Sequence, residues 1–145
     1  MLVTLFVTLL LVGIVVLIHF EALLRLSDFM VSPRHHSRVN LMICILGALV
    51  AHVIEVWVFG VGYFFLIASK EYGWFEGIVT QPTLGDCGYY SFVTYTTLGF
   101  GDLIPKGPIR FLTGMEALTG LLLITWTASF MYLQMQRFWQ ADSTK

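Results

Sequence analysis

Long apolar stretches separated by short polar connections dominate the sequence. Three stretches are almost entirely apolar, and they cover residues 2–24, 41–68 and 109–132. Each is longer than the ~20 residues that a helix needs to cross about 30 Å of hydrocarbon. A buried core could explain one such stretch, but it does not explain three. The pattern therefore predicts three transmembrane helices.

The first stretch lacks the features of a cleaved secretion signal. It has no basic start, its apolar run is long, and no small-x-small cleavage site follows it. We interpret it as a retained helix.

A shorter segment between the second and third stretches predicts a helix that does not cross the membrane. Thr83 and Asp86 have the spacing of a capping box, and Pro82 precedes them. A helix over 84–96 would span roughly 20 Å at 1.5 Å per residue, which reaches only the middle of the bilayer. Its C-terminal end would direct partial negative charge to the centre of the membrane, where a cation is poorly solvated.

The run 94–102, Thr-Tyr-Thr-Thr-Leu-Gly-Phe-Gly-Asp, overlaps the end of this helix and continues beyond it. Glycine accepts positive φ at little steric cost, so Gly99 and Gly101 allow successive carbonyls to point to one side. The carbonyls of residues 97–100 could then replace the water around a dehydrated cation. A simple glycine turn is the alternative, but it leaves the flanking sequence unexplained.

Residues 89–102 resemble the pore helix and filter of potassium channels, whose usual filter is Thr-Val-Gly-Tyr-Gly-Asp. The resemblance covers roughly residues 41–140 and corresponds to the two-helix pore module of that family. It implies a tetramer of pore modules, because each chain carries one pore loop. It also implies that K⁺ is the permeant ion. The implied ion-binding filter consists of Thr97, Leu98, Gly99, Phe100 and Gly101, with K⁺ bound at the first four of them.

Several positions depart from the family pattern. Leu98 replaces the usual Val or Ile, and Phe100 replaces Tyr and so lacks a hydroxyl that usually braces the filter. Val93 stands where several members carry a glutamate that pairs with the filter aspartate, so we expect Asp102 to lack that partner. The remaining filter-support residues on this interpretation are Thr94, Tyr95 and Thr96.

The resemblance also implies an orientation, because potassium-type pore loops enter from the outer face. The second stretch then runs inside to outside, which leaves the N-terminus outside and the C-terminus cytoplasmic. The modest excess of Lys and Arg on the inner side agrees with this orientation. The inner basic positions are Arg25, Arg34, Arg38, Arg137 and Lys145, with His35 and His36 beside them. We interpret these two histidines as part of a basic loop near anionic lipid, with a cytoplasmic pH sensor as the alternative.

Composition limits the remaining classes of function. The chain is 57% apolar and 12% charged, whereas soluble domains carry about 25% charged residues. No phosphate-binding glycine motif, metal-ligand cluster or nucleophile–base pair is present, so we expect no enzyme, no cofactor and no nucleic-acid partner. No helix carries arginines at every third position as a voltage sensor does, and we expect no ligand-binding domain. Cys44 and Cys87 are expected at opposite membrane faces, which excludes a disulfide within the chain.

The third stretch carries two candidate functional features. Gly120 falls where many potassium channels have a gating hinge, and the alternative is a small residue that allows close helix packing. Four residues form a small, partly polar stripe that would suit the wall of a water-filled cavity or bond to other helices. They are Ile124, Thr125, Ala128 and Ser129.

Ionisable residues inside the predicted helices are the costly part of the sequence. The helix rise places Glu55 and Glu116 at nearly the same depth, with His52 one turn below Glu55. We therefore predict one polar cluster behind the filter, built from Glu55, Glu116 and the nearby Tyr95 and Thr94. The acids either brace the pore helix or make the filter proton-sensitive. His19, with Glu21 and Arg25, is expected to anchor the inner end of the first helix.

These inferences combine into one prediction. The fold is an all-α membrane protein with three transmembrane helices plus a re-entrant pore helix and selectivity filter, with four subunits around a central pore. The divisions are 1–25 for an additional helix, 26–40 for a basic cytoplasmic linker and 41–140 for the pore module. The expected function is passive, K⁺-selective conduction across the cell membrane by a homotetramer in contact with lipid. A weakly selective monovalent-cation channel and a non-conducting accessory subunit are the alternatives.

Overall fold

The computed structural model of the chain describes residues 1–31, 38–77 and 81–142. Four helices and two short strands occur in this part of the chain. They are α1 (Leu2–Val31), α2 (Arg38–Ala68), β1 (Trp74–Glu76), α3 (Leu84–Tyr95), β2 (Ile104–Lys106) and α4 (Ile109–Asp142).

The helices α1, α2 and α4 confirm the three predicted membrane spans. Their apolar spans, Leu2–Met30, Val39–Ala68 and Ile109–Gln140, contain 29, 30 and 32 residues. Each exceeds the ~20 residues that a crossing requires. Only a minor part of each span is buried in the single chain, as expected for helices that face lipid or other subunits.

The helix ends lie farther out than the sequence predicts. α1 continues past residue 25 to Val31 and α2 begins at Arg38 rather than at 41, so the predicted 26–40 linker is too long. α4 likewise extends to Asp142 and includes Arg137. The prediction followed the apolar residues, whereas a helix continues as long as its backbone hydrogen bonds do. Four of the predicted inner basic and histidine positions lie outside the described residues: Arg34, His35, His36 and Lys145.

α3 fills the space between α2 and α4, and α1 packs against both α2 and α4. Tyr63 of α2 and Phe75 of β1 meet Tyr90 of α3, with ring centroids 5.1 Å and 4.3 Å from that of Tyr90. A Cβ on Gly60 of α2 would lie 3.1 Å from the Cα of Gly88 on α3, so two glycines set this close approach. The first helix is therefore part of the helix bundle and contacts α4 directly.

The start of α3 confirms the predicted capping box. The Thr83 hydroxyl accepts the Asp86 N–H at 3.2 Å, and the Asp86 carboxylate accepts the Thr83 N–H at 2.7 Å. These bonds satisfy two of the donors that every helix start leaves free. They also fix where the helix begins, and so where its C-terminal end lies.

Replacing Thr83 with alanine should lower the free energy of unfolding by about 1 kcal/mol, the usual cost of losing an N-cap.

The Thr83 hydroxyl and N–H hold the pKa of Asp86 below its ordinary value. The ionised carboxylate therefore stabilises the fold above about pH 4, and this contribution is lost as the pH falls through the lowered pKa. The melting temperatures of wild type and Asp86→Asn should differ at pH 6 and converge as the pH falls to about pH 3. A gap between them that stays constant with pH would contradict the capping role.

A two-stranded antiparallel sheet joins the segments that flank α3, and the sequence did not predict it. Trp74 pairs with Lys106 and Glu76 pairs with Ile104. The Lys106 ammonium lies 2.7 Å from the Glu76 carboxylate. The sheet thereby holds the chain before α3 next to the chain that leads into α4.

The cysteines behave as the sequence predicts. Cys44 of α2 and Cys87 of α3 are both buried free thiols. No disulfide therefore constrains the position of α3.

Candidate functional site

Residues 97–101 follow the end of α3, and their first three N–H groups turn back towards it. The Thr97 N–H donates to the Thr94 carbonyl at 2.9 Å. The N–H groups of Leu98 and Gly99 donate to the Val93 carbonyl at 3.0 and 3.3 Å. The last carbonyls of a helix have no partner within it, so α3 supplies these acceptors. The donors of the segment therefore lie on the side of α3.

The sign of φ alternates along this segment. Thr97, Gly99 and Gly101 have positive φ values of 57°, 59° and 79°, whereas Leu98 and Phe100 do not have positive φ. Such alternation gathers successive N–H groups on one edge of the backbone. The carbonyls then lie on the opposite edge. Within the described part of the chain, no backbone N–H donates to a carbonyl of residues 97–100.

Thr97 is the strained residue of the segment. A β-branched residue with positive φ is an outlier, because its side chain crowds the backbone. Such a conformation costs on the order of 1–3 kcal/mol and persists only where the surrounding structure enforces it. The hydrogen bonds to Val93 and Thr94 provide that enforcement.

The segment is open to its surroundings on the single chain. The side chains of Leu98 and Phe100 are 59% and 64% exposed. A cavity of about 440 Å³ lies between this segment, α3 and α4. A row of unbonded carbonyls at an open edge can coordinate a cation that has shed its water.

Asp102 lacks the glutamate partner, as expected from Val93, but another side chain takes its place. The Tyr89 hydroxyl, two turns before the end of α3, donates to the Asp102 carboxylate at 2.7 Å. The same bond raises the pKa of Tyr89. The second carboxylate oxygen accepts the Leu103 N–H at 3.1 Å. A tyrosine on α3 thus does the bracing that the sequence comparison sought at Val93.

Glu55 lies at the centre of a buried polar cluster that joins all four helices. Its side chain is 0% exposed, with His19 Nδ1 2.9 Å from Oε1 and His52 Nδ1 3.1 Å from Oε2. The Tyr95 hydroxyl donates to Oε2. The second ring nitrogens of His19 and His52 lie 3.3 and 3.0 Å from the Thr127 hydroxyl. We name this group, His19, His52, Glu55, Tyr95 and Thr127, the Glu55 cluster.

Glu116 occupies a second cluster, so the prediction of one cluster containing both acids is wrong. Its side chain is 0% exposed and accepts hydrogen bonds from Tyr63 at 2.6 Å and from Ser91. Ser91 is one turn before Tyr95 on α3, which separates the two carboxylates along that helix. Thr94, predicted in the same cluster, instead accepts the Thr97 N–H through its backbone carbonyl.

Glu116→Ala should lower the free energy of unfolding by about 2–4 kcal/mol, through two lost hydrogen bonds and a cavity. Glu116→Gln should cost less, because one acceptor oxygen remains. Tyr63→Phe combined with Glu116→Ala should be less than additive, since both changes remove the same bond. Denaturation in detergent measures Glu116→Ala, Glu116→Gln, Tyr63→Phe and the double variant. The exposed Glu71→Ala is the control, and its free energy of unfolding is expected within about 0.5 kcal/mol of wild type. Full additivity would mean that the Tyr63–Glu116 bond contributes nothing.

Several site residues were not found by sequence reasoning. His19 was assigned to an interfacial anchor because α1 was predicted to end near residue 25; the longer helix puts His19 at its middle, and it is buried. The exposed pair that remains there is Arg25 and Glu21, 2.9 Å apart. Hydroxyl groups gave no signal of their own in an apolar background. They belong to Tyr63, Tyr89, Ser91 and Thr127.

Gly120 packs directly against the end of α3. A Cβ added there would lie 2.2 Å from the Tyr95 carbonyl oxygen and 2.9 Å from its carbonyl carbon. α4 runs through this position without a break. Of the two predicted roles, the structure favours close helix packing.

The predicted stripe on α4 faces outwards on the single chain. Ile124, Thr125, Ala128 and Ser129 are all exposed. The hydroxyls of Thr125 and Ser129 donate to carbonyls one turn earlier in α4, at 3.0 and 3.1 Å. The stripe therefore remains available to water or to another subunit.

Comparison with known proteins adds a family to this geometry. A family model described as ion channel matches residues 51–137, which include most of α2, all of α3 and most of α4. Neither the curated proteins nor the solved structures contain a match to the chain. α1 lies outside the matched region and is an additional apolar helix. The chain belongs to this ion channel family, whose members carry the two-helix pore module of the potassium-channel type.

Proposed function

We propose that four copies of this chain surround a central pore and conduct K⁺ passively and selectively through the backbone carbonyls of residues 97–101. The four K⁺ sites are formed at Thr97, Leu98, Gly99 and Phe100. The chain contributes one strand of carbonyls, and a dehydrated K⁺ needs several at each level. Four strands related by symmetry would supply them.

The alternating φ of residues 97–101 is the observation that carries this proposal. A second observation supports it: the N–H groups of Thr97, Leu98 and Gly99 donate to carbonyls at the end of α3. A turn with no role in ion binding would not require a threonine at positive φ. The C-terminal end of α3 adds partial negative charge close to the proposed innermost site.

Exposed surfaces support the assembly. Leu98 and Phe100 are more than half exposed on the single chain, so both offer apolar area for contact with another subunit. In the proposed tetramer they pack against neighbouring subunits. The stripe of Ile124, Thr125, Ala128 and Ser129 then lines the water-filled cavity below the filter.

The proposed orientation places the N-terminus outside and the C-terminus in the cytoplasm. The β1–β2 end of the chain carries Glu71, Glu76, Asp86 and Asp102 against Lys70, Lys106 and Arg110. An acidic outer mouth concentrates cations. The excess of Lys and Arg at the opposite end follows the positive-inside rule.

Purified protein in liposomes tests the proposal. With K⁺ inside and Na⁺ outside, the reversal potential should follow the K⁺ gradient. Equal K⁺ and Na⁺ permeability would reject selectivity and favour a general monovalent-cation channel, the alternative suggested by Leu98 and Phe100. Absence of flux at every pH and voltage would reject the channel and favour an accessory subunit. Cross-linking in the same liposomes should give a tetramer.

A further inference from the structure

The Glu55 cluster has the donor set of a metal site. We propose that His19 Nδ1, His52 Nδ1 and the Glu55 carboxylate bind one transition-metal cation of the Zn²⁺ type. The three ligand atoms lie within 4.8 Å of one another. This proposal does not depend on K⁺ selectivity or on conduction.

The distances suit a small metal ion. The His19 and His52 nitrogens lie 2.9 and 3.1 Å from the two Glu55 oxygens. Donor atoms around a tetrahedral Zn²⁺ with ~2.0 Å bonds are about 3.3 Å apart. Both nitrogen–oxygen distances are therefore within a few tenths of an ångström of the spacing that ligation requires. Two imidazoles and one carboxylate are a ligand set that zinc enzymes use.

Counting protons shows that most tautomer combinations of His19 and His52 leave one ring nitrogen without a hydrogen-bond partner. Each neutral imidazole carries a single N–H, and the Thr127 hydroxyl has one proton. If both rings are protonated at Nδ1, two bare Nε2 atoms compete for the one Thr127 proton. If both are protonated at Nε2, the bare His19 Nδ1 faces the Glu55 carboxylate without a proton to share. The arrangement with His19 protonated at Nδ1 and His52 at Nε2 satisfies every ring nitrogen, because the Tyr95 hydroxyl, 2.9 Å from His52 Nδ1, can donate to it.

A bound metal gives a second arrangement in which every ring nitrogen has a partner. Both rings then carry their proton at Nε2 and donate it to the two lone pairs of Thr127, while both Nδ1 atoms and Glu55 bind the metal. A hydroxyl that holds the second nitrogen of two ligating histidines is the outer-shell support that metal sites commonly have. The Tyr95 hydroxyl, 2.9 Å from His52 Nδ1, is next to the remaining corner of the site. The metal would thus connect α1 and α2 to the last residue of α3.

Access to the site is through His52. Its side chain is 16% exposed on the single chain, whereas His19 is 1% and Glu55 0% exposed. Trp126 covers His19, with ring centroids 5.3 Å apart. A metal ion can therefore reach the cluster from one side and is shielded on the other.

Zn²⁺ alone is the probe, and a His35→Gln/His36→Gln background leaves His19 and His52 as the remaining histidines. After incubation with excess Zn²⁺ and gel filtration, elemental analysis should find one Zn²⁺ per chain. X-ray absorption should show two imidazole nitrogens at about 2.0 Å. No retained zinc, or a coordination shell without imidazole, would overturn the proposal.

Two matched variants sharpen the test. Thr127→Val should weaken Zn²⁺ affinity by about 10- to 100-fold, the usual effect of losing outer-shell support. Thr125→Val, whose hydroxyl bonds to its own helix, should leave the affinity unchanged. His19→Gln combined with His52→Gln should abolish binding. Equal affinity in all of these variants would place the zinc elsewhere and overturn the proposal.

Discussion

Gly120→Ala is expected to reduce K⁺ flux at least tenfold. Its Cβ would lie 2.2 Å from the Tyr95 carbonyl oxygen, which is a backbone atom and cannot rotate away. Overpacking of this kind costs about 1–3 kcal/mol or more, and 1.4 kcal/mol shifts an equilibrium tenfold. Tyr95 ends the helix whose Val93 and Thr94 carbonyls hold residues 97–99. The clash is thus transmitted directly to the proposed filter.

Flux in liposomes and thermal denaturation in detergent measure the effect. Gly114→Ala on the same helix is the matched control, because a Cβ there would meet no atom within 4 Å. It should keep its flux, and alanine should slightly favour the helix. Normal flux through Gly120→Ala would show that α4 and α3 can separate, and would revive the hinge interpretation of this glycine.

Gly99→Ala is expected to abolish conduction for a different reason. A Cβ at Gly99 would meet no atom within 4 Å, so the single chain has room for it. Its φ of 59°, however, costs an L-residue roughly 1–2 kcal/mol. In the proposed tetramer the cost occurs four times, which totals about 4–8 kcal/mol. The backbone should leave the alternating conformation and turn a ring of carbonyls away from the axis.

Gly13→Ala is the control for this change, since a Cβ there also meets nothing within 4 Å and the residue lies inside α1 without positive φ. Cross-linking should still detect a Gly99→Ala tetramer, because we expect assembly to depend on the helices. Flux should vanish while assembly remains. Unchanged K⁺ flux with unchanged selectivity would contradict the role of alternating φ.

The sequence predicts the features that depend on neighbouring residues. Three apolar stretches of sufficient length gave the spanning helices, and Thr83 with Asp86 gave the start of α3. Glycines at two alternate positions gave the possibility of alternating φ. These predictions rest on helix length, capping and backbone sterics, all of which act over a few residues.

Features that depend on distant residues were not predicted. The Tyr89–Asp102 bond spans 13 positions and the His19–Glu55 contact spans 36. Depth calculations placed Glu55 and Glu116 at one level, but they could not give the direction in which each side chain points around its helix. Thr97 at positive φ was also unforeseeable, since a threonine alone favours negative φ. The hydrogen bonds to Val93 and Thr94 hold this strained conformation.

The contact between His19 and Glu55 has a consequence for how the protein can be divided. The matched ion channel region begins at residue 51, yet a carboxylate within it depends on a side chain from α1. Removing α1 would leave the Glu55 carboxylate, which is 0% exposed, without its His19 partner in hydrocarbon, where each lost partner is costly. We therefore expect the cooperative folding unit to include α1 as well as the matched region. Amide protection in α1 should rise and fall with that of α2, as it does for segments that unfold together.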